Sequence, residues 1–372
     1  MLKRVRRRGQ QLRDALRQRA GAVVVSNFFK VGARAMRAMP RRRPHPYGVD
    51  VVRDVPYLST GRVEHLLDIY RPVGAPRPAP VVFYVHGGGF RILSKDSHWM
   101  MAEAFAQKGY LVFNVNYRLA PKHPYPAAIE DCAAALVWVA KNAAACEGDL
   151  GRLVLAGESA GANLVTALAV ILAYPRPEPW AQELFATGLR PRAVLPNCGM
   201  LQVSDPERFR RRKPRMRAWV FDRLAEVPEG YLRGVDPSRP GGHDLADPLL
   251  VLEGSDAPAH PLPPFFAAVG TRDPLLDDTR RLKVALDAHG VPCETRYYPG
   301  ELHAFHALVV TAAAKQCWQD QFDFLDRHVA EGPAGERRES AEAAIRAAAE
   351  RLAARPTPPT KASFASRWLG RK

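Results

Sequence analysis

The sequence predicts an α/β fold, a mostly parallel central sheet covered by helices on both faces. From Gly61 onward, short apolar runs rich in β-branched and aromatic residues alternate with longer Ala/Leu-rich stretches. Most of the runs are bounded by Gly, Pro or Asp, as buried strands are. The chain, 372 residues and 47% hydrophobic, is long enough to bury one large core.

In chain order, His65–Tyr70 is predicted as an edge strand. It is followed by Val81–Val85, Leu111–Asn116, Leu153–Ala156, Ala193–Pro196, Phe265–Val269 and Thr295–Tyr298. Segments 127–144, 162–173 and 274–289 are long enough to be the crossover helices that parallel strands need. Residues 197–248 carry no clear strand. They hold the basic run Arg208, Arg210, Arg211, Arg212, Lys213, Arg215 and Arg217, followed by Trp219, Phe221 and Tyr231. An insertion of that length predicts a lid or binding loop. The expected organisation is basic N-terminal cap or anchor helices over 1–59, a main domain over 60–330 with its insertion at about 197–248, and a tail over 331–372. In the tail, Ser340–Ala354 reads as a helix and Arg355–Thr360 breaks it.

The net charge of +16 is carried by the ends. Residues 1–45 hold fourteen basic residues against the single acid Asp14, and 331–372 hold nine against five; the body between is nearly neutral. That distribution argues against a nucleic-acid partner, which would draw basic residues to a working cleft. It also suits residues 1–45, with Phe28 and Phe29, to peripheral contact with an anionic membrane. Five scattered cysteines without a C-x-x-C spacing predict neither a disulfide scaffold nor a zinc site. With no run of about eighteen uncharged apolar residues, a cytoplasmic protein, peripheral at most, is expected.

Two glycine-rich motifs carry the chemistry. Gly157-Glu158-Ser159-Ala160-Gly161 follows a strand run and opens a helical segment, the context of a nucleophile elbow. A sharp turn there strains the Ser159 backbone, and side chains at Gly157 or Gly161 would crowd it. His86-Gly87-Gly88-Gly89-Phe90 directly follows Val81–Val85. Bare backbone N–H groups in such a loop suit a developing oxyanion, with the N–H of Ala160 as the further donor. A serine nucleophile needs a base and an orienting acid, in the order Ser, Asp or Glu, His on this kind of sheet. Asp273 and His303 stand in that order at the C-terminal ends of strand runs, where open parallel sheets place their sites. His306 competes as base, and Asp277 or Asp278 as acid.

These residues resemble the hormone-sensitive-lipase-like carboxylesterases of the α/β-hydrolase fold. The resemblance rests on His86–Phe90 (HGGGF), Tyr117–Ala127 (YRLAPKHPYPA), Gly157–Leu164 (GESAGANL), Asp273-Pro-Leu and His303-Ala-Phe, five motifs in that family's order. It implies an α/β-hydrolase fold with a helical cap. It also implies a catalytic triad of Ser159, Asp273 and His303, and an oxyanion hole of Gly88, Gly89 and Ala160. His86, Gly87, Gly157, Glu158 and Gly161 act as motif support. No cofactor and no metal are implied, and the expected partner is a small-molecule ester of short to medium acyl chain. The chain departs from the family at Arg91–Asp96, at Lys122 and at Ala304, which bears on pocket shape. The prolines of Tyr117–Ala127 read as scaffold. Two other functions fit the same fold: a ligand-binding protein without turnover, and an amidase or lactonase on the same triad.

Overall fold

The computed structural model describes residues 47–236, 238 and 241–329. Its eight-stranded sheet comprises β1 (Gly48–Pro56), β2 (Leu66–Val73), β3 (Ala79–Val85), β4 (Leu111–Val115), β5 (Gly148–Glu158), β6 (Ala193–Asn197), β7 (Phe265–Gly270) and β8 (Cys293–Tyr298), in the order β1-β2-β4-β3-β5-β6-β7-β8. Strands β1 and β2 pair antiparallel, as do β2 and β4, and every later pairing is parallel.

The inner parallel strands β3, β4, β6 and β7 are covered on both faces, which is why they read as nearly unbroken apolar runs. On β3, Val81, Phe83 and Val85 point into one cluster and Val82 and Tyr84 into the other. The first cluster takes in α2 (Ala127–Asn142) and α3 (Ala160–Ala173). The second takes in α1 (Trp99–Ala106) and residues of the closing helix Ala312–Val329. Every residue of α3 is buried, so its sequence is apolar on all sides.

Two expectations are corrected at the N-terminal side. Gly48–Pro56, inside the segment read as cap or anchor helices, is strand β1; residues 1–46 lie outside the described residues. His65–Tyr70 is therefore not an edge strand, because β2 is flanked by β1 and β4. The tail 331–372, with its expected helix, also lies outside the described residues.

Between β6 and β7 the described residues form no strand. They form helices of their own: Glu207–Arg212, Ala218–Tyr231 and Pro248–Glu253. The second of these packs over the loop after β3. Phe90 stacks on Tyr231 with ring centroids 3.9 Å apart, Arg91 Nη1 donates to Glu226 Oε2 at 2.9 Å, and Tyr125 N donates to Tyr231 O at 2.7 Å. Among the described residues, no helix is long and apolar enough to cross a membrane.

Candidate active site

Ser159 sits between β5 and α3 with φ 56° and ψ −115°, a conformation that L-residues rarely adopt. Hydrogen bonds hold it there: Ser159 N donates to Asn197 O at 3.0 Å, and Met200 N to Ser159 O at 3.3 Å. The elbow glycines are needed because β3 runs directly alongside. A Cβ at Gly157 would lie 2.7 Å from Val85 O, and one at Gly161 would overlap that same oxygen. The turn thus follows from the strand pairing Val85↔Gly157.

The structure brings Ser159, His303 and Asp273 into one hydrogen-bonded line. Ser159 Oγ lies 3.0 Å from His303 Nε2, and His303 Nδ1 lies 2.9 Å from Asp273 Oδ2. A carboxylate only accepts, so Nδ1 carries the proton and Nε2 is left to accept from the serine hydroxyl. Asp273 is fully buried, and Leu275 N donates to its other oxygen, Oδ1, at 2.8 Å. Burial alone would lower the His303 pKa, but the Asp273 carboxylate and the Cys198 thiol beside it raise it well above the ordinary imidazole value.

The competing residues are engaged elsewhere. His306 is buried, and desolvation, with His303 and His98 adding to it against Glu158, pushes its pKa down to about 4. Asp277 pairs with Arg212 at 2.9 Å, and buried Asp278 with Arg208 at 2.6 Å. The loop residue Ala304, at φ 55°, turns the chain between the two histidines.

Gly88 and Gly89 both have positive φ, 114° and 59°. Among the described residues their N–H groups meet no protein acceptor. The N–H of Ala160, in the first turn of α3, has no partner within its helix and lies at the positive end of the helix dipole. A Cβ on the adjoining Gly87 would lie 3.3 Å from Ser159 Cβ, so the glycine loop runs against the elbow.

Glu158 and Gly87 support this loop. Glu158 is buried yet charged: it accepts from Gly87 N at 2.6 Å and from Tyr84 Oη, and pairs with His98 Nε2 at 2.9 Å. Burial would raise its pKa, but His98, with His306 and Tyr84, holds it at about 2. His86 stacks on Tyr117 at 4.3 Å, and Tyr117 Oη donates to His86 O at 2.9 Å. Burial, then the neighbouring His98, pushes the His86 pKa down to about 3, so this ring is a neutral packing element.

Several residues here are not evident from sequence. Lys95 is buried between Asp54 and Asp68, with Nζ 2.8 Å from each carboxylate, while its backbone N–H donates to Asn116 Oδ1 at 2.8 Å. It fastens the chain after the glycine loop to the sheet. Cys198 is buried at the end of β6, and burial raises its thiol pKa. Ligand atoms of Cys198, Asp273 and His303 all lie within 4.8 Å of one another. That sulfur, oxygen and nitrogen set could hold a zinc-like ion only by displacing the Asp273–His303 hydrogen bond. Three separate loops supply it, so no sequence spacing announces it.

Comparison with known proteins agrees with this architecture. The α/β hydrolase fold family matches residues 82–307. The carboxylesterase NlhH of Mycobacterium tuberculosis is 33% identical over 274 residues, covering 72% of this chain and 77% of its own. An acetyl esterase of Salmonella schwarzengrund is 28% identical over 314 residues, covering 84% and 87%. Among solved structures, esterase B from Lactobacillus rhamnosis superposes with a TM-score of 0.69 at 22% identity, over 87% of this chain and 97% of that one.

Proposed function

Since this chain belongs to the hormone-sensitive-lipase-like carboxylesterases of the α/β-hydrolase fold and is a carboxylic ester hydrolase, we propose that it cleaves short- to medium-chain acyl esters through Ser159, His303 and Asp273. The observation that carries the reading is the line Ser159 Oγ–His303 Nε2, 3.0 Å, and His303 Nδ1–Asp273 Oδ2, 2.9 Å. Ser159 Oγ attacks the ester carbonyl while His303 Nε2 takes its proton. The carbonyl oxygen gathers charge and is met by the N–H groups of Gly88, Gly89 and Ala160. The tetrahedral intermediate collapses, His303 returns the proton to the leaving alcohol, and an acyl group remains on Ser159. Water, deprotonated by the same His303, attacks the acyl carbonyl and frees the carboxylic acid and the serine. Asp273 holds the imidazole tautomer and stabilises the imidazolium without taking a proton.

The reading is tested by kcat/KM on an ester series from acetyl to dodecanoyl, with matched amides and lactones, measured across pH. Short and medium acyl esters are expected to lead. Best turnover of an amide or a lactone would move the substrate class. The pH profile follows from the base: only neutral His303 accepts the serine proton, and its pKa is raised in the folded protein. Activity should therefore fall as pH drops through a value above the usual 6.5 or so. An acid limb below that value contradicts the Asp273–His303 coupling.

We propose in addition a peripheral membrane contact through residues 1–45, which carry fourteen basic residues and one acid. Full-length protein is expected to sediment with anionic vesicles at low salt and to be released by salt, because exposed charges are screened over about 8 Å at physiological ionic strength. Absence of sedimentation at low salt removes this contact.

A further inference from the structure

Four of the seven cations in the insertion's basic run are ion-paired. Arg208 pairs with Asp278 at 2.6 Å, Arg210 with Glu207 at 3.9 Å, Arg212 with Asp277 at 2.9 Å, and Arg211 with Asp205. These four cations are neutralised, and two of them, Arg208 and Arg212, tie the insertion to residues outside it. Lys213, Arg215 and Arg272 are exposed and meet no carboxylate among the described residues. These three line one open surface depression of about 510 Å³ together with Pro214, Met216 and Pro274. That volume falls within the range of small-molecule sites.

The cavity adjoins the triad. Arg272 and Pro274 flank Asp273 in sequence, and Lys213 Nζ donates to Asp273 O at 3.1 Å. Along the hydrogen-bonded line, Ser159 Oγ is no more than about 8 Å from the Asp273 carboxylate. With the width of Asp273 and the Lys213 hydrogen bond added, a group at Lys213 Nζ lies within about 16 Å of Ser159 Oγ, the span of an extended acyl chain of roughly a dozen bonds. None of Ser159, His303, Gly88 or Gly89 lines the cavity itself. The walls between the charges are apolar: two prolines and the half-buried Met216.

We propose that this cavity is an anion subsite, and that the preferred substrates are esters bearing a carboxylate or phosphate at the far end of the acyl chain. The inference rests on Ser159-dependent ester hydrolysis and names the substrate class for it. Guanidinium groups bind carboxylate and phosphate oxygens through paired N–H donors, while lysine contributes a point charge. Free cations facing an apolar wall suit an alkyl chain with an anionic end.

The test compares kcat/KM for three 4-nitrophenyl esters of equal acyl length: an ω-carboxyl ester, an ω-phosphate ester and their neutral alkanoyl counterpart. The wild-type protein and Arg215→Gln/Arg272→Gln are both assayed, at low and high salt. The anionic esters are expected to exceed the neutral one by about tenfold at low salt, the scale of a partly screened charged hydrogen bond. The double variant should erase that ratio through KM, and salt should shrink it. The carboxylate and phosphate arms identify which anion the site prefers. A ratio of one or below in the wild type, or an intact ratio in the double variant, overturns the subsite. Failure to hydrolyse even the neutral ester, or equal hydrolysis by Ser159→Ala, overturns the esterase reading itself and the subsite with it.

Discussion

Replacing His303 with Ala is expected to lower kcat by roughly five to six orders of magnitude, because removal of a triad base leaves only the residual catalysis of oxyanion binding and substrate positioning. A serine hydroxyl at its own pKa is a poor nucleophile, and the only imidazole nitrogen within reach of Ser159 Oγ among the described contacts is His303 Nε2, at 3.0 Å. His306→Ala should cost at least a hundredfold less. That ring is buried, has its pKa pushed down to about 4, and is not hydrogen-bonded to the serine. Initial rates on a soluble ester, with circular dichroism on each variant, check the pair. An inactive His306→Ala beside an active His303→Ala would reassign the base.

The second large effect is expected at the glycine loop. Gly88→Ala should lower kcat by about 100- to 1000-fold, the usual loss when one oxyanion donor is misplaced. The cause is steric as well as conformational. At φ 114° a Cβ on Gly88 would run into the Ile92 carbonyl, whose residue donates back to Gly88 O at 3.1 Å. The substitution therefore displaces the loop, which a sequence reading of bare N–H groups does not foresee. Gly89→Ala should be milder, since its Cβ would meet only the flexible end of Val227, at 3.3 Å, at φ 59°. Turnover and dichroism measured together separate a moved donor from a lost fold. Equal, full activity in both variants would remove the loop from the mechanism.

The inner strands β3, β4, β6 and β7 are legible in sequence because both faces of the sheet are buried there, and their runs are almost wholly apolar. Strand β1 is not, because Asp50, Arg53 and Asp54 interrupt a half-exposed edge that follows a strongly basic segment. Its place in the sheet depends on a buried partner far along the chain, Lys95 against Asp54 and Asp68. In the site, Ser159, Asp273 and His303 are legible from motif and chain order. Chain order alone leaves His306 as a competitor three residues on, and only the family resemblance at His303-Ala-Phe separates the two, because what distinguishes them in space is the turn at Ala304. Cys198 is hidden for a related reason: it meets His303 and Asp273 only because β6, β7 and β8 end side by side. The pairing state of the basic run is likewise tertiary, because Arg208 and Arg212 find Asp278 and Asp277 across more than sixty residues.

The central claim is that Ser159 is the nucleophile. A fluorophosphonate reacts with an activated serine hydroxyl, so incubation followed by peptide mass analysis reads the nucleophile directly. One adduct is expected, on Ser159, with esterase activity lost in proportion to labelling and with neither label nor activity in Ser159→Ala. An adduct on another residue accompanying the loss of activity, or a Ser159→Ala protein that still hydrolyses esters at the wild-type rate, would contradict it.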